Sequence, residues 1–326
     1  MQIDIHGFGG YVPDRVMTND DWAALLDTSD DWIVSRTGIR ERRIAAEDQS
    51  TLDLAEAASR AALDDAGLGV GDIGEIIVAT DTPEVYTPDT AAHLQHRLGA
   101  ANVPAFDLGG SGCAGFVQAL DVARARIAFE PKTVLVVGVE LISRLLSKED
   151  RNTAVLFGDG AGAVLVAPGP GRAEVLDVVS GTDGSKADIL TVEVGGTRKP
   201  FGLEAARAGS HQHLEMAGRE VFVEAVRRMS GSVQELLGRI GCTVDDVALV
   251  IPHQANLRII DAIASRLGLA EDAMYVNIDR YGNTGSATVP LALSEAVRDG
   301  RTSDGDLVVL TAFGAGFHWA SAALRF

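Results

Sequence analysis

The chain has 326 residues, enough for a large core and about two domains of ordinary size. Hydrophobic residues make up 46%, which excludes a disordered chain. A formal net charge of −18 argues against nucleic acid as a partner, because such a surface repels phosphate backbones. Cys113 and Cys242 are the only cysteines, too few for a disulfide framework and suited to a reducing cytosol. Residues Met1–His6 lack the basic start and apolar run of a secretion signal, and apolar runs such as Val134–Val137 and Ala163–Ala167 are too short to span a bilayer. A cytoplasmic protein without a membrane partner is expected.

The first residues read as a short strand followed by a turn region at Gly7–Gly10 and Pro13. Thr28-Ser29-Asp30-Asp31 offers N-cap residues ahead of Trp32-Ile33. Arg36, Arg40, Arg42 and Arg43 then cluster, as a solvated face or as an anchor for an anionic ligand. Leu52, Ala55, Ala58, Ala62 and Leu63 recur at helical spacing, and Gly67 is placed to end that helix. Ile76–Ala79 reads as a buried strand, and a second helix over about 88–98 ends at Gly99. Next comes Phe106-Asp107-Leu108-Gly109-Gly110-Ser111-Gly112-Cys113-Ala114-Gly115-Phe116, a strand, a small-residue bend and the start of a helix. Thr133–Val139 is a strand, Ser143–Asn152 is polar, and Ala154–Ala167 reads as two strands around Phe157-Gly158-Asp159-Gly160. Alternating strands and helices predict a mainly parallel sheet covered on both faces.

Pro168-Gly169-Pro170-Gly171 marks the expected boundary between halves 1–168 and 169–326. Residues 186–213 are polar and Gly-rich and receive no assignment. Helices are expected over Leu214–Leu237, Ala255–Leu267 and Val289–Val297, with strands at Val247–Ile251, Met274–Ile278 and Leu307–Leu310. The second half repeats the order of the first. The bend Gly112-Cys113-Ala114-Gly115 recurs as Gly282-Asn283-Thr284-Gly285, and Phe157-Gly158-Asp159-Gly160 recurs as Phe313-Gly314-Ala315-Gly316. A duplicated pair of layered α/β halves about a pseudo-twofold axis follows, with Cys113 and Asn283 on equivalent turns.

Three strand-to-helix bends carry chemistry: Cys113, His253 and Asn283. Ligands bind outside the carboxyl ends of strands in such sheets. A thiol there can take an acyl group, and unpaired N–H groups at a helix start favour its thiolate. His and Asn can each donate to an oxygen that gains charge. Each also has a bland alternative: a buried small side chain, a satisfied core histidine, a left-handed turn residue. Cys242, near a loop after Gly241, reads as structural. His211 and His213 lack a third ligand at a recognised spacing, so no metal is expected.

Gly110-Ser111-Gly112-Cys113-Ala114-Gly115 also matches the dinucleotide fingerprint G-x-G-x-x-G, with Glu140 about where a ribose-binding acid belongs. That reading leaves Cys113, His253 and Asn283 unexplained. A Cys-His-Asn protease has the same chain order but other local signatures. Ser111 is no nucleophile-elbow serine, because Cys113 stands where that motif needs glycine.

The chain resembles the 3-oxoacyl-[acyl-carrier-protein] synthase III family, condensing enzymes of the thiolase fold. The resemblance rests on Thr28–Ile33 with Arg36-Thr37-Gly38-Ile39-Arg40-Glu41-Arg42, Cys113-Ala114-Gly115-Phe116, Phe157–Gly162, Pro252-His253-Gln254-Ala255-Asn256-Leu257-Arg258-Ile259-Ile260, Asp279-Arg280-Tyr281-Gly282-Asn283-Thr284 and Phe313-Gly314. It implies an acyltransferase without a cofactor, which condenses an acyl-CoA primer with malonyl-acyl carrier protein to start type II fatty acid synthesis. A specialised relative in polyketide or secondary metabolism is the nearest alternative. The resemblance further implies that Cys113 carries the acyl group, and that His253 and Asn283 donate to the malonyl thioester carbonyl. The oxyanion hole would use the backbone N–H groups of Cys113 and Ala315, the latter where the family usually has Gly. Trp32, Arg36, Arg151 and Asn256 would bind coenzyme A, and Arg258 and Arg266 would dock the acidic carrier protein. Val223 occupies a further docking position that is basic in some members. Thr87 and Phe313 would shape the acyl pocket; some members carry Phe at the former position, so a primer longer than acetyl, medium or branched, is expected here. Residues 186–213, which look longer than usual, border the same pocket. The family also implies a homodimer whose partner completes the pocket near Thr87.

Overall fold

The structure, a computed structural model, describes residues 1–210 and 214–326. His211, Gln212 and His213 lie outside the described residues. Among the described residues the strands are, in chain order, β1 (Ile3–Tyr11), β2 (Val16–Thr18), β3 (Glu41–Arg43), β4 (Ile73–Ala79), β5 (Ala105–Leu108), β6 (Thr133–Leu141), β7 (Asp159–Pro168), β8 (Ala173–Thr182), β9 (Leu190–Val192), β10 (Leu214–Met216), β11 (Val247–Pro252), β12 (Leu307–Gly314) and β13 (His318–Arg325). The helices are α1 (Asn19–Ala23), α2 (Asp30–Thr37), α3 (Thr51–Ala66), α4 (Thr90–Leu98), α5 (Gly115–Phe129), α6 (Arg151–Ala154), α7 (Leu203–Arg207), α8 (Gly218–Ile240), α9 (Leu257–Leu267), α10 (Ile278–Tyr281) and α11 (Thr288–Arg298).

Nine strands form one sheet in the order β11-β12-β13-β8-β1-β7-β6-β4-β5. Reading outward from the centre, β1-β7-β6-β4-β5 runs antiparallel, antiparallel, parallel, parallel. On the other side β8-β13-β12-β11 runs antiparallel, antiparallel, parallel, and a single parallel bridge from Val250 to Met274 stands where a fifth strand would pair. The mainly parallel sheet expected from the sequence is therefore a mixed one. The reason is connectivity: β12 returns as β13 through Ala315–Phe317, too short for a crossover helix, so the two must pair antiparallel.

Helices α5 and α11 both touch strands from each side of the sheet, so they form the central layer. Their burial fits that place. Nine consecutive residues of α11, Thr288–Ala296, are buried, and Pro290 falls in the first turn where its missing N–H costs nothing. On the outside, α3 and α4 pack with β4, β6 and β7 in one apolar cluster, while α8 and α9 pack with β8 and β11–β13 in another. The outer helices are amphipathic; α9 buries Ile259, Ile260, Ile263, Ala264 and Leu267 on one stripe.

Several local expectations are corrected. Gly7–Gly10 is no turn but lies within β1, because α3 approaches that strand at backbone distance. A Cβ on Gly7 would sit 2.3 Å from the Ala62 carbonyl, and one on Gly9 2.1 Å from the Ala58 carbonyl. Residues 154–167 hold the end of α6 and one strand, not two. The long helix starts at Gly218, because Leu214–Met216 pairs with β9. Met274–Ile278 forms no strand beyond its single bridge. Gln254 takes over its backbone groups: Gln254 Nε2 donates to the Tyr275 carbonyl, and the Asn277 N–H donates to Gln254 Oε1.

Candidate active site

Cys113 follows β5 and sits in a short 3-10 turn, Gly112–Ala114, that leads into α5. Gly110 and Gly112 have φ of +74° and +54°, left-handed values that favour glycine. Gly112 has a second reason to lack a side chain. A Cβ there would come within 2.5 Å of the Ala315 nitrogen, and one on Gly314 within 2.3 Å of the Cys113 nitrogen. The two glycines thus bring the backbone amides of Cys113 and Ala315 to adjoining positions at the same spot.

Asn283 lies on the opposite turn. Its backbone is fixed on both sides, with Asn283 N–H donating to Leu156 O at 2.9 Å and Gly158 N–H donating to Asn283 O at 3.0 Å. Its side-chain Oδ1 accepts from the Gly285 N–H at 2.9 Å and from the Cys113 thiol at 3.9 Å. The remaining polar atom, Nδ2, is a donor.

His253 directly follows β11 and is anchored by its N–H, which donates to Thr311 O at 2.7 Å. The ring is 3% exposed, and burial lowers its pKa to about 3, so it is neutral at working pH. Its Nδ1 is buried without a hydrogen-bond partner among the described residues.

The thiol differs from the sequence expectation. A helix start favours a thiolate, but here burial raises the pKa of Cys113, and the negative charges of Asp81 and Glu140 raise it further. The resting sulfur is a thiol. The equivalence of the two turns also needs a shift of register. The 3-10 turns Gly112–Ala114 and Gly285–Ala287 precede α5 and α11 alike, so Cys113 corresponds to Ser286, and Asn283 corresponds to Gly110.

Cys113, His253 and Asn283 line one cavity of about 1550 Å³, together with Trp32, Arg36, Thr87, Asn256, Phe313 and Ala315. A thiol, two neutral donors and a pair of backbone amides around one space suit acyl transfer through a thioester, with stabilisation of developing negative charge. Known proteins point the same way. The sequence profile described as 3-oxoacyl-[acyl-carrier-protein (ACP)] synthase III matches residues 106–184, and its C-terminal counterpart matches residues 237–326. A beta-ketoacyl-[acyl-carrier-protein] synthase III of Roseiflexus sp. (strain RS-1) is 47% identical over 320 residues, covering 98% of this chain and 97% of that protein. One from Xanthomonas oryzae pv. oryzae is 48% identical over 323 residues, covering 99% and 98%. The crystal structure of 3-oxoacyl-[acyl-carrier-protein] synthase III from Aquifex aeolicus superposes with a TM-score of 0.91 at 41% identity, covering 99% of this chain and 100% of that one.

The chain belongs to the 3-oxoacyl-[acyl-carrier-protein] synthase III family. It is a condensing acyltransferase of the thiolase fold. Other residues of this synthase fall as follows. Trp32 is clasped by two cations, the Arg36 guanidinium 4.5 Å and that of Arg151 5.1 Å from the ring centroid. Arg151 also donates to Asp27 O at 2.7 Å and stays outside the cavity lining. Asn256 caps α9, its Oδ1 taken by the Arg258 N–H at 2.9 Å. Arg258 is exposed and donates to Ser35 O at 2.7 Å, and Arg266 is exposed in the last turn of α9. Thr87 is exposed at the cavity rim, while Phe313 is buried against Phe317 with centroids 4.7 Å apart.

The dinucleotide reading is overturned by packing. Glu140 is fully buried, where it accepts from Asp81 N–H, Thr82 and Ser286. The Gly110 N–H that would meet a pyrophosphate donates to Asp81 instead. Sequence reasoning missed Asp81 altogether, although an acid two residues after a buried strand was a usable signal. It also missed the apolar wall formed by Ile142, Phe157, Leu190, Leu214 and Met229. These come from five separate segments, and only the fold gathers them.

Proposed function

We propose that this synthase condenses an acyl-CoA primer with malonyl-acyl carrier protein by a two-stage mechanism on Cys113. In the first stage the sulfur attacks the primer thioester, and the thiol proton passes to the departing CoA sulfur. The N–H groups of Cys113 and Ala315 hold the oxyanion of that step. In the second stage the malonyl thioester carbonyl accepts hydrogen bonds from His253 and from Asn283 Nδ2. Carbon dioxide leaves, and the electron pair of its bond becomes an enolate held by those donors. The enolate carbon attacks the acyl-cysteine, and the Cys113 thiolate departs and regains a proton from solvent. The observation that carries this reading is Asn283. Its Oδ1 is committed to the Gly285 N–H, so the atom left for a ligand is a neutral donor, beside an imidazole that burial keeps neutral. Two neutral donors suit an enolate, where a carboxylate would repel it.

The rest of the site is read in the same frame. The adenine of CoA displaces Arg151 from one face of Trp32 and stacks there, with Arg36 near its phosphate and Asn256 Nδ2 on the pantetheine arm. Arg258 and Arg266 receive the acidic carrier protein. We divide the chain into halves 1–168 and 169–326 at the connection that leads from β7 to β8, and β8 pairs with β1 across that division. A homodimer is favoured by β5, an edge strand with half-buried residues, next to exposed Val85 and Tyr86. No described helix is long and apolar enough to cross a membrane, and we place the enzyme in the cytoplasm.

The primer is medium-length or branched. Thr87 leaves the cavity rim open, and the space within is walled by aliphatic and aromatic side chains. Incubating the enzyme with a panel of acyl-CoAs and weighing the Cys113 peptide tests both points. Acylation of Cys113 by octanoyl- or branched acyl-CoA is expected. Strict preference for acetyl-CoA overturns the primer, and no acyl adduct on Cys113 overturns the mechanism.

A further inference from the structure

Of the arginines that cluster at 36, 40, 42 and 43, one is neither on a solvated face nor free to meet an anion. Arg42, on β3, is fully buried. A guanidinium keeps its charge in the interior, yet the partners of Arg42 are neutral. Nη1 donates to Asn19 Oδ1 at 2.8 Å and to the Met17 carbonyl at 3.2 Å, and Nη2 donates to the Val155 carbonyl. Met17 and Val155 belong to one apolar cluster with Ile33 and Ile278. Packing alone would be served there by an apolar side chain, because a buried charge costs desolvation that neutral acceptors return only in part. The reason for an arginine lies in what its fork joins. On one side is the support of Asn283. The Leu156 carbonyl accepts the Asn283 N–H at 2.9 Å, and the Gly158 N–H donates to the Asn283 carbonyl at 3.0 Å. The Arg42 β-carbon packs against both flanks of that pairing: a Cβ on Gly158 would come within 3.0 Å of it, and one on Gly282 within 3.5 Å. On the other side is α2. Asn19 donates from Nδ2 to Asp30 Oδ1 at 2.8 Å and to the Ile39 carbonyl at 2.7 Å. Asp30 begins α2, the helix that carries Trp32 and Arg36.

We propose that Arg42 is a positioning residue for Asn283: its guanidinium holds the Val155–Gly158 stretch to which the Asn283 backbone is bonded, and ties that stretch to the start of α2. The amide donor and the Trp32 end of the cavity are thereby built on one frame. Val155, Leu156, Phe157 and Asn283 all line the cavity, whereas Arg42 is set back from it and touches no substrate. Asn283 presents Nδ2 from a backbone bonded on both sides, so a loosened 155–158 stretch misdirects the donor without removing it. None of these bonds reaches Cys113, whose turn is shaped by Gly112 and Gly314. Arg42 therefore serves the malonyl stage of the reaction and not the acylation of the sulfur.

The inference rests on Asn283 being a donor to the malonyl carbonyl, and a readout without substrate lets the two fail separately. Arg42→Met removes the fork and the charge, while Arg42→Lys keeps the charge but offers one nitrogen in place of two. Hydrogen–deuterium exchange of the intact enzyme, read by peptide mass, follows the Asn283 and Gly158 amides. Relative to peptides of α3, both amides should exchange about tenfold faster in Arg42→Met and about threefold faster in Arg42→Lys. Decarboxylation of malonyl-acyl carrier protein should fall in the same order, while single-turnover acylation of Cys113 at saturating acyl-CoA stays within about twofold. A merely structural arginine lowers decarboxylation and acylation in equal proportion, and that result overturns the proposal. Unchanged exchange at both amides in Arg42→Lys overturns it as well, even where Arg42→Met fails to fold. Asn283→Ala, run alongside, decides the underlying reading. If that variant decarboxylates at the unaltered rate, the donor assignment fails, and the exchange rates alone still decide whether Arg42 holds the Asn283 turn.

Discussion

Replacing Asn283 by Asp changes one atom and tests the donor assignment directly. The backbone at 283 is fixed by Leu156 and Gly158, so the new side chain keeps the same orientation. One carboxylate oxygen takes the Gly285 N–H, as Oδ1 does at 2.9 Å in the unaltered enzyme. The other stands where Nδ2 stood. Losing one donor to a developing oxyanion costs roughly 3 kcal/mol, or about 10²- to 10³-fold in rate. Asn283→Ala should show that loss alone. The Asp variant adds a charge about 4 Å from the enolate oxygen, worth roughly 4 kcal/mol at an effective dielectric near 20. Decarboxylation of malonyl-acyl carrier protein, followed by the appearance of acetyl-acyl carrier protein, should therefore be slower in Asn283→Asp than in Asn283→Ala at pH 8. The order should narrow or reverse towards pH 5, because a protonated carboxyl regains an O–H donor and loses its charge. If Asn283→Ala decarboxylates within threefold of the unaltered enzyme, Asn283 is not a donor and the reasoning fails.

Two further predictions follow from single residues. His253 is neutral when folded, with a pKa near 3, whereas an unfolded histidine ionises near 6.5. The unfolded chain thus binds the extra proton between those values, so the stability His253 contributes is present above about 6.5 and declines as pH falls towards 3. Between pH 6.5 and 4.5 the loss is about 2 kcal/mol, and His253→Gln should lack it in urea titrations; equal pH slopes for the two proteins contradict the assignment, as does an inflection near 6.5 in the decarboxylation rate. Charge reversal at Arg266, exposed at the end of α9, should raise KM for malonyl-acyl carrier protein about tenfold and leave KM for acyl-CoA unchanged; equal effects on both substrates remove this residue from the docking surface.

What the sequence disclosed depended on whether the cause was local. Helix α3 was legible because its signals lie within it: Ser50 and Asp53 form a capping box, and Gly67 ends it at φ +65°. The glycines of β1 were misread because their reason is the backbone of α3, some fifty residues away in sequence. The segment 274–278 was misread because its pattern of apolar residues is real, but its backbone partners come from the Gln254 side chain. Cys113, His253 and Asn283 were legible because each is an unusual residue type at the end of a strand-like run. The electrostatics of the thiol were not, because two acids reach it from β4 and β6, and neither is near it in the chain.

The internal repeat carries the most information once its register is known. Both halves use one device, a glycine with positive φ opening a 3-10 turn that feeds a central helix: Gly112 at +54° before α5 and Gly285 at +58° before α11. At the position of Cys113 the second half has Ser286, whose hydroxyl donates to Glu140 and to the Ala79 carbonyl. At the position of Asn283 the first half has Gly110, whose N–H donates to Asp81. Each turn thus offers one group to the cavity, and presents the counterpart of the other's group to an acid, Asp81 at the cavity wall or Glu140 in the interior. The first turn offers the sulfur and ties Gly110 down; the second offers the amide and ties Ser286 down. That exchange explains why Asp81 and Glu140 lie between the turns. A symmetric frame would place like groups face to face, and the acid pair holds the two turns together while leaving a thiol opposite a donor.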